Sequence, residues 1–107
     1  IRFWLIKIGL LDGLLLGPLA VRNDLRGHGL GSKLINYSLR CAKTKNFNFC
    51  FVSGEEDYYP KFGFKKIDSN KLILPGYIDP KRLHIIFLKK QIIDLMGEYP
   101  WKIIPQN

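Results

Sequence analysis

The stretch Leu25–Leu34, LRGHGLGSKL, sets three glycines at alternating positions between an arginine and a helix-like pattern. Glycines let a ligand approach the backbone without a Cβ in the way. The first amides of a helix are unpaired donors at the positive end of the helix dipole, so they attract anions. Arg26 and Lys33 add positive charge on either side of the glycines. The stretch therefore predicts a loop that binds an anion, such as a phosphate group, at the start of a helix.

Two common phosphate-binding motifs nearly match this stretch and both fail. The dinucleotide motif GxGxxG, started at Gly27, requires glycine where Ser32 stands. The P-loop motif requires lysine directly after its last glycine, whereas Ser32 separates Gly31 from Lys33. The pattern that does fit is [QR]xxGx[GA], satisfied by Arg26, Gly29 and Gly31.

The segments around the glycine loop predict a strand, a helix and a second strand. After the loop, small and apolar residues recur at spacings of three and four and predict a helix to about Lys45, ended by Asn46; the predicted face consists of Leu30, Leu34, Ser38, Cys41 and Ala42. Apolar runs at Leu14–Val21 and Asn48–Ser53 predict the strands. This order describes a βαβ unit, in which the two strands are parallel.

Outside this unit the chain predicts shorter elements of an α/β or α+β domain. A strand is expected over Phe3–Ile8, and the Asp-Gly pair at 12 and 13 predicts a hairpin turn. Asp57 is expected to cap a short helix over Tyr58–Phe62 that Gly63 ends. The remaining predictions are strands over Phe64–Ile67 and Leu83–Leu88, a loop over Leu74–Pro80 and a helical turn over Ile92–Met96.

Composition narrows the class of protein and its surroundings. The 107 residues suffice for one domain, and the net charge is +8, most of it before Glu55. Cys41 and Cys50 are the only cysteines and neither belongs to a metal-binding pattern, so reduced thiols in the cytoplasm and no metal are expected. No apolar run reaches the length of a membrane span, so no membrane partner is expected.

Two segments in order, LGPLAVRNDLRGHGLGSKLI (16–35) and GEEDYYPKFGF (54–64), resemble the GCN5-related N-acetyltransferase (GNAT) superfamily, and within it small bacterial acetyltransferases of the YhbS type. The resemblance extends from about Leu14 to Phe64 and is looser over 72–88. It implies a central mixed sheet with flanking helices. Members normally begin with a strand, one or two helices and another strand, so residues 1–107 are expected to be one acetyltransferase domain that lacks those elements.

The resemblance also implies a site and a reaction. Acetyl-coenzyme A (acetyl-CoA) is the implied cosubstrate, and a small-molecule or peptide amine is the implied acceptor, which attacks the thioester directly in a ternary complex. Tyr59, four residues before a Gly-Phe pair, is the implied general acid for the departing thiolate, although adjacent Tyr58 stays an alternative. The strand would bind the pantetheine arm and the glycine loop the pyrophosphate, through Leu19, Ala20 and Val21 and through Arg26, Gly27, His28, Gly29, Leu30, Gly31 and Ser32.

Several alternatives stay open at this stage. The general base is undetermined, with Glu55, Glu56 and Asp57 as candidates or as a plain acidic turn. A basic module that binds RNA or another polyanion explains the charge and the loop but not the tyrosine spacing, so nucleic acid is not expected. A remnant that binds acetyl-CoA without turnover is the third candidate. If the strand near Phe3 presents an unpaired edge, a homodimer is expected.

Overall fold

A computed structural model describes residues 3–17, 29–54, 56–75 and 82–106. The described residues form one mixed sheet of seven strands, with few helices, and the architecture is α+β as predicted. In chain order the strands are β1 Phe3–Ile8, β2 Leu11–Leu16, β3 Phe49–Ser53, β4 Lys65–Lys66, β5 Leu72–Ile73, β6 Leu83–Phe87 and β7 Trp101–Pro105. Their order across the sheet is β4-β6-β3-β2-β1-β7-β5.

The first hairpin turns at Gly9 and Leu10, so the predicted turn at Asp12 and Gly13 is wrong. Ile8 pairs with Leu11, which places Asp12 and Gly13 inside β2. Gly9 has a φ of 59°, which a tight turn requires and glycine adopts without strain. Gly13 is instead a packing glycine, because a Cβ there would lie 2.1 Å from the ring of Phe49.

The βαβ unit is confirmed. Helix α1 spans Leu30–Thr44, and β2 and β3 pair in parallel from Gly13–Phe49 to Leu16–Val52. Asn46 has a φ of 64° directly after the helix, which fits its predicted role at the helix end. The part of the predicted strand beyond residue 17 lies outside the described residues.

Helix α1 turns a somewhat different face to the sheet from the one predicted. Its buried side chains are Ile35, Ser38, Leu39 and Ala42, whereas Leu34 and Cys41 are half-buried at the margin. The spacing rule gave the correct period but the wrong phase, because Leu34 and Ile35 are equally apolar and only the contact with the sheet distinguishes them.

Two smaller expectations also change. Tyr58, not Asp57, stands at the start of the short helix, which is a 3₁₀ helix over Tyr59–Phe62. Gly63, with a φ of 95°, ends it as predicted. The strand expected over Phe64–Ile67 is reduced to the two residues of β4, Lys65 and Lys66, which pair with Ile85 and His84 of β6.

The C-terminal segment closes the other side of the sheet. A helical turn, α2, spans Ile92–Leu95, and β7 then pairs antiparallel with β1 at Ile6–Ile8. The backbone amide of Gln106 donates to the carbonyl of Leu5 at 2.8 Å. The expectation of an unpaired edge at β1 is therefore wrong for Ile6–Ile8, where β7 pairs with it, and the homodimer stays a prediction.

The sheet carries one apolar cluster on each face. The cluster under α1, termed here the helix-side cluster, consists of Leu14, Leu16, Ile35, Leu39, Ala42, Cys50, Val52, Tyr59 and Phe64. The opposite-side cluster consists of Ile6, Ile8, Leu15, Phe49, Phe51, Ile67, Leu72, Leu83, Ile85, Met96, Trp101 and Ile103. Successive strand residues point to opposite faces, which explains how Cys50 and Phe51 belong to different clusters.

Candidate active site

The candidate site lies at the carboxyl ends of the parallel strands β2 and β3. Pairing between the two strands runs as far as Leu16 and Val52, and the next residue of β3, Ser53, pairs with Leu83 of β6. In sheets of this kind, ligands bind beyond the carboxyl ends of parallel strands where the chain crosses to a helix. Helix α1 and the 3₁₀ helix Tyr59–Phe62 both begin near this end of the sheet.

The start of α1 has the backbone geometry that the glycine pattern predicts. Gly29 precedes the helix in the left-handed conformation, with φ 73° and ψ 10°. The first helical bond joins the amide of Lys33 to the carbonyl of Gly29 at 3.0 Å. The amides of Leu30, Gly31 and Ser32 precede this bond, and within the described residues they are donors of the first turn of the helix. No acidic residue stands in this first turn, so its positive end is not neutralised from within.

Six of the predicted cofactor-binding residues lie outside the described residues, namely Leu19, Ala20, Val21, Arg26, Gly27 and His28. Their assignment to the pantetheine and pyrophosphate stays a prediction. Within the described part of the loop, Gly31 and Ser32 are half-buried in the first turn of α1.

Tyr59 lies at the end of β3, against Gly54. The side chain is only 4% exposed and belongs to the helix-side cluster. A Cβ on Gly54 would lie 2.3 Å from Cε2 of Tyr59 and 3.1 Å from its hydroxyl oxygen. Because any larger residue at 54 would displace the ring, glycine is required there for space rather than for backbone freedom. The phenol is thereby held at the carboxyl end of the parallel pair.

Three aromatic neighbours hold the ring of Tyr59 from other sides. Phe64 and Tyr58 contact it edge to face, at centroid distances of 5.8 and 5.2 Å, and His84 is tilted against it at 5.9 Å. Tyr58 itself is half-buried and lies edge to face with Phe62, also at 5.2 Å. The burial difference makes Tyr59 the more constrained of the two adjacent tyrosines.

The acidic turn before Tyr59 provides a weak candidate base. Glu55 lies outside the described residues and Asp57 is exposed. Glu56 accepts a hydrogen bond from Lys66 Nζ at 2.6 Å. This hydrogen bond and the charge of Lys66 lower the pKa of the Glu56 carboxyl. A carboxylate with a lowered pKa is a poorer proton acceptor, so the geometry argues against Glu56 as the base.

His84 is a component of this region that the sequence did not single out. It lies in β6, opposite Val52 of β3, and is 1% exposed. Its Nδ1 lies 2.8 Å from the carbonyl oxygen of Arg82. The available signal was a single polar residue inside the apolar run Leu83–Leu88, which a strand pattern alone does not distinguish from an ordinary core residue.

Metal and thiol chemistry receive no support from the residues that the structure describes. Among them, no group of three or more His, Cys, Asp or Glu side chains is arranged to hold a metal ion. Burial raises the pKa of the Cys50 thiol, which keeps it protonated and unreactive at neutral pH. No helix within the described residues is long and apolar enough to cross a membrane.

Comparison with known proteins places this site in a family. The family model of the acetyltransferase (GNAT) domain matches residues 2–66, which include the βαβ unit, Gly54 and Tyr59. The chain therefore has the βαβ core of an acyl-group transferase, and it belongs to the GNAT family of acetyltransferases. A search of curated proteins found no match.

Solved structures with the same fold include proteins bound to coenzyme A. The GNAT family acetyltransferase YhbS from Escherichia coli, solved with CoA, matches with a TM-score of 0.74 and 19% identity over 97% of this chain and 57% of its own. A GNAT acetyltransferase from Brucella melitensis, solved with acetyl-CoA, matches with a TM-score of 0.61 and 22% identity over 95% and 54%. A third match, the protein AtaT complexed with acetyl-methionyl-tRNA, has a TM-score of 0.51 and 21% identity over 80% and 49%.

The matches cover most of this chain but only part of each relative. The chain spans little more than half the length of the first two solved structures. At such identities the likeness concerns the fold alone. The mixed sheet with its βαβ unit is thus confirmed as a GNAT fold.

Proposed function

We propose that this protein is an N-acetyltransferase that moves an acetyl group from acetyl-CoA to a primary amine by direct attack. The observation that carries the proposal is the position of Tyr59, buried on Gly54 at the carboxyl end of β3. Membership of the GNAT family and the glycine-led start of α1 support it. We further propose that residues 1–107 form one domain and that the protein is cytoplasmic, where its free thiols Cys41 and Cys50 stay reduced.

The residues present fit acetyl-CoA as the cosubstrate. The amides of Leu30, Gly31 and Ser32 would hold its pyrophosphate, since they are helix-start donors with no acidic neighbour in the first turn. Leu19, Ala20, Val21 and residues 26–29 would extend the contact along the rest of the cosubstrate. Bound in this way, acetyl-CoA would supply an activated thioester carbonyl for attack by the amine.

The chain itself would contribute a proton and a fixed geometry. Tyr59 would donate its hydroxyl proton to the leaving thiolate, which avoids releasing a free anion in a partly buried site. The ring contacts of Tyr59 with Phe64, Tyr58 and His84 would keep that hydroxyl in position without reorganisation during the reaction. With Glu56 paired to Lys66, deprotonation of the amine falls to solvent or to residues outside the described ranges.

The decisive experiment compares Tyr59→Phe with a matched control, Tyr37→Phe, which removes a hydroxyl from an exposed tyrosine on α1. With a panel of amines, kcat of Tyr59→Phe is expected to fall by about 10²- to 10⁴-fold, and Tyr37→Phe should match the parent. Calorimetry should give the same acetyl-CoA affinity for all three proteins. Equal turnover of Tyr59→Phe and parent on every accepted amine would remove Tyr59 as the acid.

A second candidate is a cofactor-binding protein without turnover. The chain spans 57% and 54% of the relatives solved with CoA and acetyl-CoA, so binding and turnover are tested separately. Saturable binding of acetyl-CoA with no acetylated product from any amine would support this candidate over the enzyme.

The acceptor is proposed to be a small-molecule or peptide amine, with RNA as the alternative. Two observations support RNA as the alternative acceptor: the relative AtaT was solved with acetyl-methionyl-tRNA, and the net charge of this chain is +8. Binding to RNA through phosphates should weaken steeply between about 50 and 200 mM salt, whereas acetyl-CoA binding should weaken far less. Saturable binding of RNA that weakens steeply with salt would support RNA as the acceptor, whereas salt-tolerant binding of acetyl-CoA without RNA binding would support a small-molecule or peptide amine.

A further inference from the structure

One backbone carbonyl, that of Arg82, connects three parts of the candidate site. It accepts a hydrogen bond from the backbone amide of Gly54 at 3.1 Å. It also lies 2.8 Å from Nδ1 of His84. Because a carbonyl oxygen can only accept, Nδ1 of His84 must carry the hydrogen, which defines the tautomer of the ring.

The residue that bears this carbonyl has an uncommon backbone conformation. Arg82 has a φ of 59°, in the left-handed region that side-chain-bearing residues seldom occupy. The hydrogen bond from His84 reaches back two residues to the Arg82 carbonyl and stabilises this conformation locally. The orientation of the carbonyl that receives the Gly54 amide therefore depends on the His84 side chain.

Gly54 in turn determines where Tyr59 lies. The Cβ position of Gly54 is 2.3 Å from Cε2 of Tyr59 and 3.1 Å from its hydroxyl oxygen, so the phenol rests directly on this residue. The imidazole of His84 contacts the same phenol, with ring centroids 5.9 Å apart. A continuous set of contacts thus joins His84, the Arg82 carbonyl, Gly54 and the hydroxyl end of Tyr59.

The second ring nitrogen of His84, Nε2, indicates that packing of the ring does not by itself explain why histidine stands at position 84. Nε2 is buried and makes no hydrogen bond in the structure as described, although His84 is only 1% exposed. A buried polar atom without a partner is unfavourable, and an apolar side chain would avoid it. What histidine supplies here, and an apolar side chain does not, is the donor at the δ position.

We propose that His84 is a positioning residue for Tyr59: its Nδ1–H fixes the Arg82 carbonyl and the Gly54 amide, and this arrangement places the phenol at the end of β3. The inference rests on the proposed function, in which Tyr59 is the general acid. His84 contacts neither the acetyl group nor the amine in this proposal and acts through Tyr59 alone.

Two substitutions of similar size separate the δ position from the ε position. In His84→Asn the side-chain amide can place its nitrogen where Nδ1 lies, whereas in His84→Gln the amide group reaches the place of Nε2. His84→Gln is expected to lower kcat by about 10- to 100-fold with little change in the KM for acetyl-CoA, since a small displacement of a catalytic group has effects of this size. His84→Asn should stay within about threefold of the parent. Equal turnover of the two variants would overturn the proposal.

A double substitution shows whether the effect passes through Tyr59. In the Tyr59→Phe background, adding His84→Gln should lower kcat by no more than about twofold, because the group being positioned is already absent. An additional loss as large as in the parent background would contradict the proposal. If Tyr59→Phe is slow while His84→Gln equals the parent, the inference about His84 fails alone; if the parent acetylates no amine, the proposed function fails instead.

A readout without turnover completes the test. In NMR spectra, the NOE contacts between the Tyr59 ring and the α-protons of Gly54 should be lost in His84→Gln and persist in His84→Asn; chemical shifts do not serve here, because both variants remove the imidazole that lies against Tyr59. The nitrogen signals of the parent His84 should report a hydrogen on Nδ1. A hydrogen on Nε2 only, or unchanged Tyr59–Gly54 NOE contacts in a folded His84→Gln protein, would overturn the proposal whether or not the chain is active.

Discussion

The two faces of the sheet are built from different kinds of residue. The opposite-side cluster is almost entirely apolar and includes the fully buried rings of Phe49 and Phe51; its one polar group, the indole N–H of Trp101, donates to the carbonyl of Gly97 at 3.0 Å. The helix side also buries polar groups, with Tyr59 at 4% and His84 at 1% exposure. Since buried polar atoms lower stability unless they are satisfied, their concentration on one face indicates that this face is shaped for a task beyond packing.

Two glycines show the same contrast at the level of single atoms. Gly13 and Gly54 each lie under an aromatic ring, with Cβ positions 2.1 Å from Phe49 and 2.3 Å from Tyr59. The ring of Phe49 belongs to the opposite-side cluster and that of Tyr59 to the candidate site. We expect the first contact to matter for stability and the second for catalysis.

The largest effect is expected in the opposite-side cluster. Phe51→Ala should lower the free energy of unfolding by about 3–5 kcal/mol, because it leaves a cavity in a core where Phe51 is 0% exposed. Urea denaturation of Phe51→Ala and of Phe3→Ala, where the ring is 48% exposed, measures the difference. If the two variants lose similar stability, the opposite face is not the main core of the protein.

The next effect concerns Gly13. Gly13→Ala should lower the free energy of unfolding by about 1–3 kcal/mol, since its Cβ overlaps the ring of Phe49. Adding Phe49→Leu to this variant makes space, so the double variant should be more stable than the sum of the two single losses predicts. Acetyl-CoA affinity should equal that of the parent in the folded Gly13→Ala protein. If the two losses of stability are additive, residues other than Phe49 move to relieve the overlap created by the new Cβ at position 13.

Gly54→Ala should instead reduce catalysis. Its Cβ would displace Tyr59 from the end of β3, and kcat is expected to fall by about 10- to 100-fold, equivalent to about 1.4–2.7 kcal/mol in the barrier. Steady-state kinetics and a urea titration on the same preparation give the two quantities. If Gly54→Ala has the same kcat as the parent, Gly54 does not support catalysis, and the proposed difference between Gly13 and Gly54 is wrong.

A smaller loss of stability is expected where a substitution strains only the backbone conformation. Gly9 has a φ of 59° with nothing within 4 Å of its Cβ position, so Gly9→Ala should cost about 1–2 kcal/mol through conformation alone. Gly29, with a φ of 73° and equally open space, provides the counterpart at the start of α1. Gly29→Ala should show a similar loss of stability and, unlike Gly9→Ala, weaker acetyl-CoA binding by calorimetry. If Gly29→Ala binds acetyl-CoA with the same affinity as the parent, Gly29 does not contribute to binding of the cosubstrate.

The smallest effect is expected at the Glu56–Lys66 pair, which is exposed on both sides. The hydrogen bond from Lys66 lowers the pKa of Glu56, so the contribution of the pair is present above the unfolded-state pKa of the carboxyl and is lost as pH falls through the folded-state value. Glu56→Gln should lower the urea midpoint only slightly at neutral pH, and this small difference should disappear in acid. A clear loss of kcat in Glu56→Gln would reinstate Glu56 as the base.

Sequence reasoning succeeded where a local pattern has one structural solution. The glycine loop before an apolar helix and a buried strand predicted the βαβ unit and its parallel pairing, and the loop together with the segment GEEDYYPKFGF (54–64) predicted the GNAT family. The turn prediction failed at Asp12 and Gly13. An Asp-Gly pair often marks a turn, but here the ring of Phe49, 36 residues further along the chain, occupies the space where a Cβ on residue 13 would lie. The phase of α1 was wrong for a similar reason, since Ile35 and Leu34 are equivalent until the sheet is present.

What the sequence by itself determined is the order of the elements and the left-handed glycine that precedes α1, because glycine spacing and apolar periodicity act over a few neighbouring residues. The anion-binding role of that loop and the catalytic role of Tyr59 stay predictions. Only the tertiary structure decided that β7 covers the edge of β1, that Gly54 supports Tyr59, and that His84 and the Gly54 amide share the carbonyl of Arg82. These contacts join residues far apart in the chain, and their energies depend on distances of a few ångströms that no local pattern records.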